Sequence, residues 1–228
     1  MYLKKYLSFI IPLILIFSSC NQAERPEVLK LKIIETSDVH GAVFPYDFLE
    51  DESDNNSLAQ VHSFVKQERS KADQLVLFLD NGDILQGDPS VYYYNFIKPG
   101  GTHFLAEVMN FMEYDAATVG NHDIEPGHPV YDKFREELNF PWLAANAKDV
   151  KSGKPYFEPY TIIRKKGVKI AVLGLITPAI PQWLPPSIWE GMEFDDMIES
   201  AKYWVDHIRR NEKPDILIGL FHAGYDYT

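Results

Sequence analysis

The chain has 228 residues, 46% of them hydrophobic, enough to bury a substantial core in one large domain or two small ones, which excludes disorder as its main state. Lys and Arg number 22 against 33 Asp and Glu, a formal charge of -11 with no basic run, so a nucleic-acid polymer is not an expected partner. The single cysteine excludes an internal disulfide and a Cys-rich zinc framework, leaving His, Asp, Asn and Glu to hold any metal.

The N-terminus reads as an export signal. Lys4 and Lys5 precede the apolar run Leu7 to Phe17, which is short for a membrane span, and Ser18 and Ser19 lead into Cys20. The Phe-Ser-Ser-Cys junction resembles a bacterial lipobox, with Phe17 where Leu is usual. That resemblance implies a signal peptide over residues 1–19, lipidation at Cys20, a linker over 20–30 and a domain over 31–228. The protein is then expected in the cell envelope, held on the membrane through a lipid anchor, facing the periplasm or the surface.

Leu29 to Ile34 alternates and then runs apolar, predicting a strand that breaks into Thr36-Ser37-Asp38-Val39-His40-Gly41. Leu58, Val61, Phe64 and Val65 share one helical face, with Asn56 or Ser57 as the cap. A strand at Leu75 to Leu79 ends in Asp80-Asn81-Gly82-Asp83. A helix over Phe104 to Met112 follows, then a strand at Ala116 to Val119 that ends at Gly120-Asn121-His122-Asp123. Further strands are expected at Trp142 to Ala145, Tyr160 to Arg164 and Val168 to Leu175, the last two joined by a Lys165-Lys166-Gly167 turn. Ala201 to Arg210 reads as a helix, and Ile216 to Phe221 as a final strand running into His222-Ala223-Gly224. Strands alternating with helices predict an α/β layered fold with functional loops at the carboxyl ends of the strands.

Four of those loops carry metal-ligand chemistry: Asp38 and His40, Asp83, Asn121 and His122, and His222. Strand ends converge on one sheet edge, so these distant residues can surround one point. Asp38 and His40 are two apart, which in extended chain aims both side chains the same way. Carboxylate, imidazole and amide oxygen together suit a pair of divalent ions, Zn, Mn, Fe, Co or Mg, with Asp83 as a natural bridge.

These motifs, with Ala145-Asn146, Gly174-Leu175-Ile176-Thr177-Pro178 and Phe221-His222-Ala223-Gly224, resemble the calcineurin-like metallophosphoesterases, and within them the 5'-nucleotidase and 2',3'-cyclic-nucleotide phosphodiesterase branch. The resemblance implies a four-layer α/β/β/α sandwich of mixed sheets flanked by helices. It implies Asp38 and His40 on one metal, Asp83 bridging, Asn121 and His222 on the other, and His122 as the catalytic histidine. Glu125, where Asp is usual, is then expected to orient His122, and Asn121 and His128 to touch substrate. The implied activity is hydrolysis of nucleotide phosphoesters by two-metal activation of water. The resemblance also calls for a later Gly-His-x-His motif and a C-terminal domain that clamps the base. Neither follows within 228 residues, so the chain reads as C-terminally truncated, and a non-catalytic metal- or nucleotide-binding lipoprotein is the alternative.

Among the remaining candidates, His62, His103 and His207 are expected in structural roles, and Asp88 and Asp123 in orienting or solvated ones. Asn146 is expected to support the site from behind. Tyr92, Tyr93, Tyr94 and Phe96 fit packing or a domain contact better than base stacking. Pro178, Pro181, Trp183, Pro185 and Pro186 make a rigid loop near the site mouth.

Overall fold

The computed structural model describes residues 28–224, so the segment read as an export signal and the expected lipidation site Cys20 lie outside the described residues. In chain order the elements are β1 (Lys30–Thr36), the short pair β2 (Tyr46–Asp47) and β3 (Glu52–Ser53), α1 (Leu58–Arg69), β4 (Gln74–Asp80) and α2 (Pro89–Tyr92), which runs into a π-helical turn (Tyr93–Ile97). There follow α3 (Phe104–Met112), β5 (Ala116–Thr118), α4 (Asn121–Ile124), α5 (His128–Glu137), β6 (Trp142–Leu143), β7 (Ala147–Asp149), β8 (Tyr160–Lys165) and β9 (Val168–Ile176). The chain continues through α6 (Ile180–Trp183), β10 (Met192–Phe194), α7 (Met197–Asn211) and β11 (Ile216–His222).

Two sheets pack face to face. One is parallel, in the order β1-β4-β5-β6, and the other is mixed, in the order β11-β9-β8, with β11 parallel and β8 antiparallel to β9. The period-two geometry of a strand explains how β4 serves two cores at once. Leu75, Leu77 and Leu79 meet Ile170, Val172 and Leu220 of the second sheet. Val76 and Phe78 point the other way, into a cluster with Leu58 and Val65 of α1, Leu105 and Met109 of α3, and Tyr131 and Phe134 of α5. On the far side of the second sheet, Ala171, Leu173 and Leu175 pack under Ile208, Trp204 and Val205 of α7. The architecture is therefore α/β/β/α in four layers, as the motif resemblance implied. No helix of the described residues is long and apolar enough to cross a membrane.

Local chemistry sets the element ends. Ser57 caps α1 by accepting the Gln60 N–H, and Asp196 caps α7 by accepting that of Glu199. The expected helix at 201–210 starts four residues earlier because of that cap. Strand β6 is only two residues long because Ala144 and Ala145 leave their sheet to bond the Glu158 and Gly174 carbonyls. The proline-rich loop forms the single turn α6 at Ile180–Trp183.

Candidate metal centre

The parallel strands β1, β4 and β5 deliver their carboxyl ends to one edge of the first sheet, and β11 delivers His222 to the same point from the second. The two sheets are joined just below it, where Thr118 Oγ1 donates to the Leu220 carbonyl at 3.0 Å. The loop after β1 is laced to the loop after β4: the Asp38 N–H donates to Gly82 O and the His40 N–H to Asp83 O, each at 3.0 Å.

The geometry of the Asp-x-His stretch differs from the extended chain expected. Asp38, His40 and Asp83 all take positive φ, at 53°, 50° and 62°. Non-glycine residues adopt this left-handed region at a cost, and such strain persists only where the surroundings over-determine it. The result is a curled loop that still brings one ligand atom from each of Asp38, His40 and Asp83 within 4.8 Å of one another.

Around that trio the remaining residues are fixed individually. His40 Nδ1 donates to the Gln86 carbonyl at 3.1 Å, so the nitrogen left to serve as a ligand is Nε2. His222 Nδ1 is held at 2.6 Å by the Asn81 carbonyl, and its Nε2 lies 3.1 Å from Asn121 Oδ1 and 3.3 Å from Asp83 Oδ2. Burial lowers the His222 pKa, but the hydrogen bond and charge of Asp83 outweigh it and push the value up to about 9. The Asp83 carboxyl shows the reciprocal effect: burial raises its pKa, and the His222 contacts overcome that and lower it. Asp83 Oδ1 also accepts the His122 N–H at 2.8 Å.

His122 sits edge-on to His40 with ring centroids 5.3 Å apart. Its Nδ1 is 2.7 Å from Glu125 Oε1, close enough for an ion pair but without the alignment of a hydrogen bond. His128 stands elsewhere: Nδ1 meets Asp132 and the Tyr156 hydroxyl, and Nε2 donates to the Glu190 carbonyl at 2.9 Å. Both of its ring nitrogens are engaged, Nδ1 with Asp132 and Tyr156 and Nε2 with the 185–191 loop, and it does not join the cluster.

Two glycines set how closely the loops approach. A Cβ on Gly82 would lie 2.5 Å from the Gly120 nitrogen, and one on Gly120 would lie 2.2 Å from Asp83 Oδ1. The Gly-Asp and Gly-Asn-His-Asp motifs thus interlock at their glycines, a tertiary reason for residue types that the sequence alone presents as turn formers.

Sequence reasoning left Asp123 undecided between orienting and solvated. The structure buries it fully, with Oδ2 accepting from Gly120 N and Asp83 N and Oδ1 from Ile84 N and Leu85 N. Burial, with the charge of Asp83, raises its pKa, while the backbone donors oppose that. Asp80 was missed as a support. It accepts from Thr36 Oγ1 at 2.6 Å and Gly82 N at 3.0 Å, and burial pushes its pKa up to about 7. Asp88 caps α2 through Ser90 N while its own N–H donates to His40 O. Asn146 clasps the end of β9, its amide nitrogen donating to Ile176 O and its oxygen accepting from Ile176 N. His103 caps α3, and His207 packs on Tyr203 and Trp204, both structural roles.

The donor set suits divalent cations. A carboxylate, an imidazole with its second nitrogen already oriented, and a carboxylate in contact with another imidazole, which itself meets an amide oxygen, make a mixed nitrogen and oxygen environment.

Residues 31–227 match the calcineurin-like phosphoesterase family model. The chain is 33% identical over 208 residues to a 5'-nucleotidase of Vibrio cholerae, covering 90% of this chain and 36% of that protein. It is 29% identical over 230 residues to a 2',3'-cyclic-nucleotide 2'-phosphodiesterase/3'-nucleotidase of Yersinia enterocolitica, covering 96% of this chain and 34% of that one. The chain thus spans about a third of the length of these relatives. Among solved structures, a putative 5'-nucleotidase from Staphylococcus aureus superposes with a TM-score of 0.78 at 28% identity, over 87% of this chain and 38% of that one. The calcineurin-like phosphoesterase YfkN from Bacillus subtilis does so at 0.75 and 29%, over 85% and 62%. Fold, motif order and these likenesses agree: the chain belongs to the calcineurin-like phosphoesterase family.

Proposed function

We propose that this domain hydrolyses phosphoesters of nucleotides, of the 5'-nucleotidase or 2',3'-cyclic phosphodiesterase type, with two divalent cations at the Asp83 cluster. The observation that carries the reading is the meeting of Asp38, His40 and Asp83 within 4.8 Å, with His222 against the Asp83 carboxylate and Asn121 Oδ1 against His222. Asp38 and His40 would hold one cation, Asn121 and His222 the other, with Asp83 facing both. Cations bound there supply Lewis acidity toward the phosphoryl oxygens and a lowered pKa for attacking water. The chain's own contribution is positional. Asp83 fixes the His122 backbone, and Glu125 stands beside the His122 ring, so that the imidazole can meet charge developing on the transferring phosphoryl group or leaving oxygen.

The names of the relatives support nucleotides as the substrate class. The reading also includes export and attachment to the membrane through a lipid at Cys20, which incorporation of labelled palmitate would test against Cys20→Ala. Phosphate release from AMP and 2',3'-cyclic AMP with Mn or Zn, against an Asp83→Asn control, tests the activity. Release that is lost in the control supports the proposal, and equal rates refute it. Cation binding without any release would favour the non-catalytic reading instead.

A further inference from the structure

The parallel strands that carry ligands to one edge of the sheets begin together at the opposite edge. Lys30 and Gln74 pair at the starts of β1 and β4, and the β8–β9 turn reaches them from the second sheet. There Lys166 Nζ donates to the Ala72 carbonyl at 3.0 Å and to the Gln74 carbonyl at 2.8 Å. Helices α1 and α7 end at the same edge, since each leads into a strand that starts there. Their last turns carry Lys66 and Arg69, and Arg209 and Arg210, and Lys213 follows α7.

The carboxylates of this edge are matched by cations. Asp73 pairs with Lys30, Asp115 with Lys165, and Glu212 with Lys169. Glu113 pairs with Arg69, Asp206 with Arg210, and Glu68 with both Lys32 and Lys71, while Asp215 accepts the Lys169 N–H. Lys66, Lys166, Arg209 and Lys213 are exposed and enter no ion pair among the described residues, so the edge holds surplus positive charge. Helix dipoles favour cations in a last turn, but Lys166 and Lys213 lie outside the helices, and capping does not account for the set. In a chain of formal charge -11 this is a local reversal of sign. The catalytic edge has the opposite character: Asp38 and Asp83 stand there, and the chain that follows β1 exposes Glu50, Asp51 and Glu52. A charged surface therefore orients the domain as well as attracting it.

The chain also enters the domain at the basic edge. Ten residues separate Cys20 from Lys30, which bounds their distance at about 35 Å. The seven residues of β1 then carry the Asp38 loop about 20 Å further on. A surface that holds Cys20 thus meets the basic edge before the catalytic one. Anionic headgroups attract Lys and Arg within a screening length of about 8 Å and repel the acidic end.

We infer that the edge carrying Lys66, Lys166, Arg209 and Lys213 docks on a membrane surface of anionic phospholipid headgroups, with the metal cluster held facing away from the bilayer. The choice of occupant rests on the lipid-anchor reading above, and the docking face is a separate claim.

Amide hydrogen exchange of the full chain, read by mass spectrometry with vesicles of phosphatidylcholine alone or with about 30% phosphatidylglycerol, is the test. The readout is local, so insertion of the apolar run Leu7 to Phe17 does not enter it. Residues 164–169 and 209–215 should exchange about threefold more slowly with phosphatidylglycerol only, because an anionic surface depletes hydroxide beside it, while 38–41 and 120–123 stay unchanged. The slowing should vanish at about 1 M NaCl, where the screening length is about 3 Å. Arg209→Gln with Lys213→Asn, asparagine being tolerant of the φ of 49° at 213, should at least halve it. Lys151→Gln with Lys154→Gln should leave it intact, since these exposed cations lie toward the other end of α7, where Lys154 shares a cavity with Asp196. Equal exchange with both vesicles, protection at the catalytic edge instead, or equal losses in the two variants overturns the proposal. So does a DNA duplex that protects the same segments equally at the same phosphate concentration, which makes the face a general polyanion site. Failure of labelled palmitate to enter the chain counts against the anchor alone, since exchange in the unlipidated chain still decides the face.

Discussion

The Asp123 carboxylate accepts the backbone N–H of Asp83 at 3.0 Å, so the residue at the centre of the metal cluster is positioned by a buried acid that never reaches the cluster itself. The same oxygen takes Gly120 N, and the other takes Ile84 N and Leu85 N, so one side chain welds the turn after β4 to the turn after β5. In Asp123→Asn the NH2 group must face at least one pair of N–H donors, leaving them unsatisfied in a dry site. We expect a loss of about 2–4 kcal/mol in urea unfolding and Mn affinity roughly 10–100-fold weaker by calorimetry. Wild-type Mn affinity in a folded Asp123→Asn protein would contradict this positioning role.

Gly120 has an ordinary backbone, with φ at -97°, so alanine there is free of conformational strain and acts only through its methyl group. That methyl would fall 2.2 Å from Asp83 Oδ1 and 2.4 Å from Asp83 N. Gly120→Ala is therefore expected to displace the Asp83 carboxylate, with phosphate release falling at least tenfold and stability falling by about 1–3 kcal/mol. Gly100→Ala is the matched control, because its Cβ meets nothing within 4 Å. It should leave activity unchanged and leave stability equal or higher by up to about 1 kcal/mol. Equal activity in the two variants would dispose of the interlocked-glycine account.

His103 gives the fold a pH dependence of definite sign. Its Nδ1 accepts the Leu105 N–H as the cap of α3, and its Nε2 donates to Asn95 Oδ1, so the native ring is neutral with both nitrogens in use. Burial, aided by the charge of Lys133, pushes its pKa down to about 4. In the unfolded chain the value returns to about 6.5, so between these limits the unfolded state binds more protons. The stabilising contribution is complete above pH 6.5 and drains away as pH falls toward 4, by about 3 kcal/mol at most. His103→Asn keeps a capping side chain without the titration. The difference in unfolding free energy between the two proteins should change across pH 4 to 6.5 and stay level above pH 7. A constant difference over the whole range would remove His103 as the cause.

The ligand loops were legible in the sequence because each polar motif follows an apolar run that the chain must bury, and strand ends of an α/β sheet gather on one edge. What periodicity could not supply was the partner of each side chain. Asp123 is adjacent to His122 in sequence yet buried, and only the tertiary fold reveals that four backbone donors converge on it. Helix α5 was missed because its apolar residues Val130, Tyr131 and Phe134 are too few to signal a period. His128 illustrates the same limit from the other side, since proximity in sequence to Asn121 did not bring it to the cluster. Tyr92 and Phe96 looked like packing residues, and the passage from α2 into the π-helical turn, which leaves both exposed, has no sequence signature in this stretch.

Glu125 provides the sharpest separation between binding and turnover. It lies 2.7 Å from His122 Nδ1 and is not among the Asp38, His40 and Asp83 trio, so replacing it alters the histidine and leaves that trio intact. In Glu125→Gln the carboxylate beside the His122 ring is replaced by an amide that no longer orients it in the same way, and kcat for AMP is expected to fall roughly tenfold, the scale of a lost supporting partner. Mn affinity and unfolding free energy should stay within error of wild type. Glu125→Asp, one methylene shorter, should fall between the two. An unchanged kcat in Glu125→Gln would remove Glu125 from the His122 support, and a loss of Mn binding that parallels the loss of kcat would show that it acts on the cluster and not through His122.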